Sequence, residues 1–154
     1  MEMVDLIAPQ GVIAQLRATS KRQVLQELAR RAGALTGLDE RAIFERLIER
    51  ERLATTGIGM GVAVPHGKLG PLGAPHALFA RLERPIPFEA VDDEPVYLIV
   101  VLLTPEDAGA DHLTALALVS RRLRDRAFCD KLRGTDSAEA LYALLTDATA
   151  ASEA

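Results

Sequence analysis

The stretch Val96-Tyr-Leu-Ile-Val-Val-Leu-Leu103 carries no charge and only one polar atom, on Tyr97. A strand with one wet face alternates apolar and polar residues. An unbroken run of this kind suits a central strand buried on both faces, within a sheet that helices must cover. The chain around it has to supply neighbouring strands and two helical layers.

Helices are legible on both sides of that run. Ser20-Lys-Arg-Gln23 has the spacing of a capping box, and Val24, Leu25, Leu28, Ala32 and Leu35 follow at helical intervals until Gly37. Asp39 is read as the cap of a second helix whose apolar face is Ile43, Phe44, Leu47 and Ile48, ending near Arg52. Thr55 to Gly67 is a glycine-rich turn followed by a short strand, Val62-Ala63-Val64, which Pro65 is expected to terminate, leaving His66 at a strand end. Ala77 to Leu82 reads as a further strand, and Arg84 to Pro95 as a loop. After Thr104-Pro105 a polar loop leads to a helix with His112, Leu116, Val119 and Leu123 on one stripe. Two short helices follow: Arg126 to Arg133, ended by Gly134, and Ser137 to Thr146, opened by Asp136 and Glu139 in capping-box spacing. The expected organisation is one domain over 1–147 and a frayed tail over 148–154. Helices, then strands, then helices imply an α/β or α+β layered fold.

Composition narrows the function classes. With 154 residues, 49% of them hydrophobic and 26% charged, the chain suits one soluble domain. The N-terminus lacks a basic segment followed by an apolar one, and no apolar run is long enough to span a bilayer, so membrane insertion is not expected and a cytoplasmic location is. The net charge of −4 is spread along the chain and tryptophan is absent, which leaves neither a basic stripe nor a stacking surface for nucleic acid. The single cysteine, Cys129, has no basic cluster beside it and reads as a small core residue.

The usual catalytic signatures are missing. Glycines 57, 59 and 61 do not complete a dinucleotide fingerprint, because Val62 stands where the third glycine would fall and the segment follows a helix. There is no phosphate loop for ATP, no zinc spacing among His66, His76 and His112, and no serine-hydrolase elbow; neither cofactor nor metal is expected. Asp92-Asp93-Glu94 reads as a solvated turn. His66 remains, held between Pro65 and Gly67. An imidazole with an ordinary pKa near 6.5 is a competent nucleophile towards a phosphoryl donor at neutral pH. The residues alone leave two readings of it open, a nucleophile and a half-buried structural histidine.

The segment Glu51-Arg-Leu-Ala-Thr-Thr-Gly-Ile-Gly-Met-Gly-Val-Ala-Val-Pro-His-Gly67 resembles the phosphorylation-site signature of the fructose/mannitol-type EIIA family of the bacterial phosphoenolpyruvate-dependent phosphotransferase system. The likeness extends over nearly the whole chain, including Arg84 to Pro95 and His112 to Leu123, and is greatest to the nitrogen-regulatory branch of the family. It implies a single-domain α/β fold, a mixed β-sheet flanked by helices on both faces. It implies that His66 accepts a phosphoryl group from an HPr-like carrier charged by enzyme I, that His112 stabilises the phosphoryl, and that Arg50 faces it electrostatically. His112, turned inward at the start of its helix, would donate a hydrogen bond while the helix N-terminus adds positive potential. Lys68 and Arg52 are expected to frame the anionic site, and His76 to be structural or solvent-facing. Met60 departs from the family pattern, where nitrogen-type members often carry Asn, so a hydrogen bond from that side chain is lost. Three functions follow: a phosphocarrier that regulates partners such as transporters or kinases, a sugar-uptake EIIA that relays phosphoryl to an EIIB domain, or an adaptor that keeps the fold without transfer.

Overall fold

The apolar run does form a strand with no wet face. In the computed structural model, which describes residues 1–147, Leu98 to Leu103 are each 0% exposed. Burying a side chain of this size stabilises the fold by roughly 2 kcal/mol. The chain runs α1 (Met3–Leu6), β1 (Ile7–Leu16), α2 (Lys21–Thr36), α3 (Glu40–Leu53), β2 (Gly57–Gly59), β3 (Val62–Ala63), β4 (His66–Leu69), β5 (His76–Ile86), β6 (Val96–Pro105), α4 (Ala110–Arg124), α5 (Arg126–Arg133) and α6 (Ala138–Thr146). The tail 148–154, expected to fray, lies outside the described residues.

The strands form one mixed sheet in the order β1-β5-β6-β3-β2, with β4 also pairing β6. β5 is antiparallel to β6, whereas β3 and β4 run parallel to it. Alternation along β6 feeds two cores. Ile99, Val101 and Leu103 pack with α2 and α3 through Val24, Leu25, Leu28, Ile43 and Leu47. Leu98, Val100 and Leu102 pack with α4, α5 and α6 through Val119, Leu132 and Leu141. The expected α/β fold, a mixed sheet with helices on both faces, is the fold observed.

Several boundaries differ from expectation for identifiable reasons. Pro65 does not end the strand: its carbonyl accepts Leu102 N–H at 2.9 Å, and the chain re-enters the sheet as β4, with His66 opposite Leu102. Proline removes a donor but keeps its acceptor, so the ladder beside β6 continues across the break. β6 extends through Thr104 and Pro105, two residues past the strand end at Leu103 expected from sequence. β5 continues through Arg84-Pro85 to Ile86 with a shift of register after Arg81. β1 has no counterpart in the sequence reading; its burial follows no two-residue period and its pairing with β5 shifts register twice. Ser20 does accept Gln23 N–H, and Gly37 ends α2 at φ 75°. Asp39 caps α3 without a side-chain bond, and α6 is capped by Ser137 accepting Ala140 N–H instead of by the Asp136–Glu139 pair.

β2 and β3 are joined by the two-residue turn Met60-Gly61, with φ 56° and 80°. Two positive φ values in a two-residue hairpin loop are the mark of a type I′ turn, whose preferred sequence is Asn-Gly. A Cβ on Gly61 would overlap the Tyr97 ring, so glycine is required there by space as well as by φ. Met60 thus stands at a turn position that favours Asn. Met60 N–H is held by Asp92 Oδ2 at 2.9 Å, and Asp92 Oδ1 accepts Glu94 N–H, so the acidic turn clasps the hairpin. Placing a non-glycine side chain in the left-handed region costs roughly 1 kcal/mol, which Asn tolerates better than Met. Met60→Asn is therefore expected to raise stability by about 1 kcal/mol and the melting temperature by about 3 °C; thermal denaturation that shows no gain would mean that the turn holds no strain.

Candidate functional site

His66 is the first residue of β4, half-buried, with its side chain on the α4 side of the sheet beside Leu102. Its Nδ1 lies 2.9 Å from the Val64 carbonyl oxygen. A carbonyl only accepts, so Nδ1 carries the proton and Nε2 is left with a free electron pair. Arg50 Nε–H donates to that Nε2 at 3.2 Å, while the Arg50 Nη1 donates to the Ala54 carbonyl at 2.8 Å and is steadied by the end of its own helix. Arg50 comes from α3, on the opposite face. It reaches His66 because β4 pairs with β6 alone, and because Gly67 lets α3 close on the strand: a Cβ there would lie 3.2 Å from Arg46 Cβ.

His112 arrives from the other layer. It is the third residue of α4, 9% exposed, and its ring centroid is 5.6 Å from that of His66 at a tilt of 53°. Its Nδ1 lies 2.6 Å from Thr104 Oγ1 on the fully buried end of β6. The sheet edge thus brings together His66, His112 and Arg50, three residues far apart in sequence and carried by three different elements. Lys68 lies two residues beyond His66 on the same face, exposed, opposite Thr104.

Both imidazoles are held below their ordinary pKa of 6.5. For His66 the chief cause is burial, with the Arg50 charge adding to it and the Val64 hydrogen bond and Glu51 opposing it. For His112 burial again dominates, followed by the His66 and Lys68 charges. The site at neutral pH therefore holds two uncharged rings beside fixed cations.

Other residues considered from sequence lie elsewhere. Arg52 is exposed and, two residues from Arg50 on a helix, points about 200° away from it. His76 opens β5 opposite Leu103, on the far side of β6 from β4, and takes no part in the histidine pair. Met60 sits in the hairpin turn with Asp92. Cys129 is buried, donates to the Leu123 carbonyl, and burial pushes its thiol pKa up to about 11.

Glu51, quoted in the motif but given no role from sequence, is 7% exposed and unites the site's scaffold. Its Oε1 accepts Thr56 N–H at 3.0 Å and Lys21 Nζ at 3.0 Å, and its Oε2 accepts the Thr56 hydroxyl. Thr56 in turn accepts Val64 N–H through its carbonyl at 2.9 Å, so the chain of bonds runs from α2 through α3 to the carbonyl that orients His66. A buried carboxylate needs such partners, but no local pattern announces it.

The family model described as "Phosphoenolpyruvate-dependent sugar phosphotransferase system, EIIA 2" matches residues 5–148, and the chain belongs to this family. A nitrogen regulatory protein of Bradyrhizobium diazoefficiens is 53% identical over 145 residues, covering 94% of this chain and 95% of that relative. The crystal structure of the nitrogen regulatory protein IIA-Ntr from Neisseria meningitidis superposes with TM-score 0.87 at 31% identity, over 92% of this chain and 97% of that one. The Escherichia coli mannitol IIA structure, at TM-score 0.73 and 18% identity over 90% and 97% of the two chains, shares the fold. The chain is thus a phosphotransferase-system component of the EIIA type, and among its described residues no helix is long and apolar enough to cross a membrane.

Two outcomes follow from this geometry. Glu51→Ala leaves two Thr56 donors unpaired and Lys21 with only the more distant Glu89 carboxylate, and is expected to destabilise the fold by about 3 kcal/mol, with Glu51→Gln losing less; equal urea midpoints for the two variants would remove the charge from the explanation. Because both histidines have lowered pKa values, the unfolded chain binds protons first. Stability is then complete above pH about 6.5 and falls below it, which urea titrations at neutral and mildly acidic pH will register; a midpoint that rises on acidification contradicts the assignment.

Proposed function

We propose that this EIIA-family member is a cytoplasmic nitrogen-regulatory phosphocarrier, in which His66 Nε2 takes a phosphoryl group from the phosphohistidine of an HPr-like protein and the charged state of the site selects its partners. The observation that carries the reading is the Val64 carbonyl at His66 Nδ1, which leaves Nε2 unprotonated and turned to Arg50. The likeness to nitrogen regulatory proteins over almost the full length supports the regulatory role over sugar relay.

In the transfer, the Nε2 electron pair of His66 forms the new P–N bond as the donor's P–N bond breaks and its electron pair returns to the donor imidazole. Phosphoryl transfer of this kind passes through a loose, in-line transition state that needs positioning and charge stabilisation. The His66 ring gains positive character as it is phosphorylated, and the Val64 carbonyl opposite Nδ1–H offsets it. Arg50 moves its donor from Nε2 to a phosphoryl oxygen. His112 and the N-terminus of α4 face the same oxygens, and Lys68 adds a charge at the rim. Arg52 contributes only to the outer field. No ATP and no metal enter these steps.

A phosphoryl group adds about −1.5 to −2 charges at neutral pH, enough to change which protein surface fits against this edge. The partners expected are the HPr-like donor and regulatory targets such as transporters or kinases. Incubation with phosphoenolpyruvate, enzyme I and an HPr-like carrier should add one acid-labile phosphoryl group, detected by intact-protein mass spectrometry and lost in His66→Ala. Arg50→Ala should fold yet accept phosphoryl about a hundredfold more slowly. Label persisting in His66→Ala contradicts the assignment, and efficient discharge onto an EIIB domain would move the protein to sugar relay.

A further inference from the structure

Thr104 and Val64 occupy equivalent places beside the two histidines, but they are chemically different. The Val64 carbonyl can only accept, which puts the His66 proton on Nδ1. The Thr104 hydroxyl can accept or donate. It is 0% exposed, and among the described residues its oxygen makes one hydrogen bond, to His112 Nδ1 at 2.6 Å. If Nδ1 carried a proton and donated it to Oγ1, the hydroxyl hydrogen would have nowhere to go inside the core. Buried donors avoid that condition. If the hydroxyl donates instead, both groups are satisfied by one bond.

We infer that Thr104 is a positioning residue for phosphoryl transfer: its hydroxyl donates to His112 Nδ1, which places the His112 proton on Nε2 and presents an N–H donor to the phosphoryl group. The inference rests on the phosphocarrier reading of His66. It makes the two rings opposite tautomers, held so by a carbonyl on one side and a hydroxyl on the other. His66 offers an electron pair at Nε2, and His112 offers a proton at Nε2. The reverse tautomer of His112 would turn a lone pair towards phosphoryl oxygens and repel them.

The burial of Thr104 is otherwise hard to account for. It follows six fully buried apolar positions and could be Val or Ile as far as sheet packing is concerned. Lys68, its register partner on β4, is exposed, so the hydroxyl is not there to serve the neighbouring strand. The hydrogen bond it makes is to a side chain of another layer, on α4.

The experiment pairs imidazole nitrogen NMR of the unphosphorylated protein at neutral pH with single-turnover transfer from a phosphorylated HPr-like carrier. Wild type should show His66 protonated at Nδ1 and His112 at Nε2. Thr104→Val, nearly isosteric, should remain folded, shift the His112 Nδ1 resonance away from its hydrogen-bonded position, and slow transfer at saturating donor about tenfold with an unchanged half-saturation concentration. Thr104→Ser should restore both the resonance and the rate. Finding His112 protonated at Nδ1 in wild type overturns the inference, as does a Thr104→Val protein with wild-type resonance and rate. Failure of wild type to accept phosphoryl would overturn the phosphocarrier reading and with it the catalytic use of the tautomer, a result distinct from either tautomer outcome because the spectra are recorded without donor.

Discussion

Because β6 is buried on both faces, each of its side chains is committed to one helical layer or the other, and the strands beside it inherit that division. His66 pairs with Leu102 and so faces α4; Gly67 pairs with Leu103 and so faces α3. A slip of one residue in the β4–β6 register would turn the imidazole towards α3 and Gly67 towards α4. The register is fixed by the hydrophobic alternation of β6, so the strongest packing constraint in the molecule also aims the His66 imidazole. The helices then need only deliver Arg50 and His112 to an edge whose direction has already been decided.

How much of this was readable in advance depends on how local each signal is. The β6 run and the Ser20 cap with its Gly37 stop are contiguous, and each was legible. The convergence of Arg50 and His112 on His66 came from a family resemblance; the residues alone left both as ordinary helix residues. β1 was illegible because Pro9 and Gly11 lie inside it and its burial does not alternate. Pro65 misled because a missing donor was read as the end of pairing, although its carbonyl still pairs. In sequence Glu51 looks like an ordinary helix charge and Thr104 like a polar residue just past the end of a strand. Their importance lies in burial, which arises only when α2 and α3 close on one face of the sheet and α4 on the other.

The electrostatic character of the site follows from the same assembly. Closing two helical layers on a sheet edge removes water from the imidazoles and keeps them neutral, while Arg50 and Lys68, with stems long enough to reach the rim, remain charged. A nucleophile needs its electron pair and a phosphoryl group needs cations. Partial burial of short side chains beside long ones satisfies both requirements in one place.

The single cysteine closes a different channel. With its thiol sequestered under α4 and α5 and kept protonated to about pH 11, the folded chain has no thiolate to offer an oxidant, an electrophile or a partner's disulfide. Thiol–disulfide exchange therefore has no handle on the folded chain. Any cysteine engineered onto its surface would be the one reactive thiol, a clean anchor for a reporter.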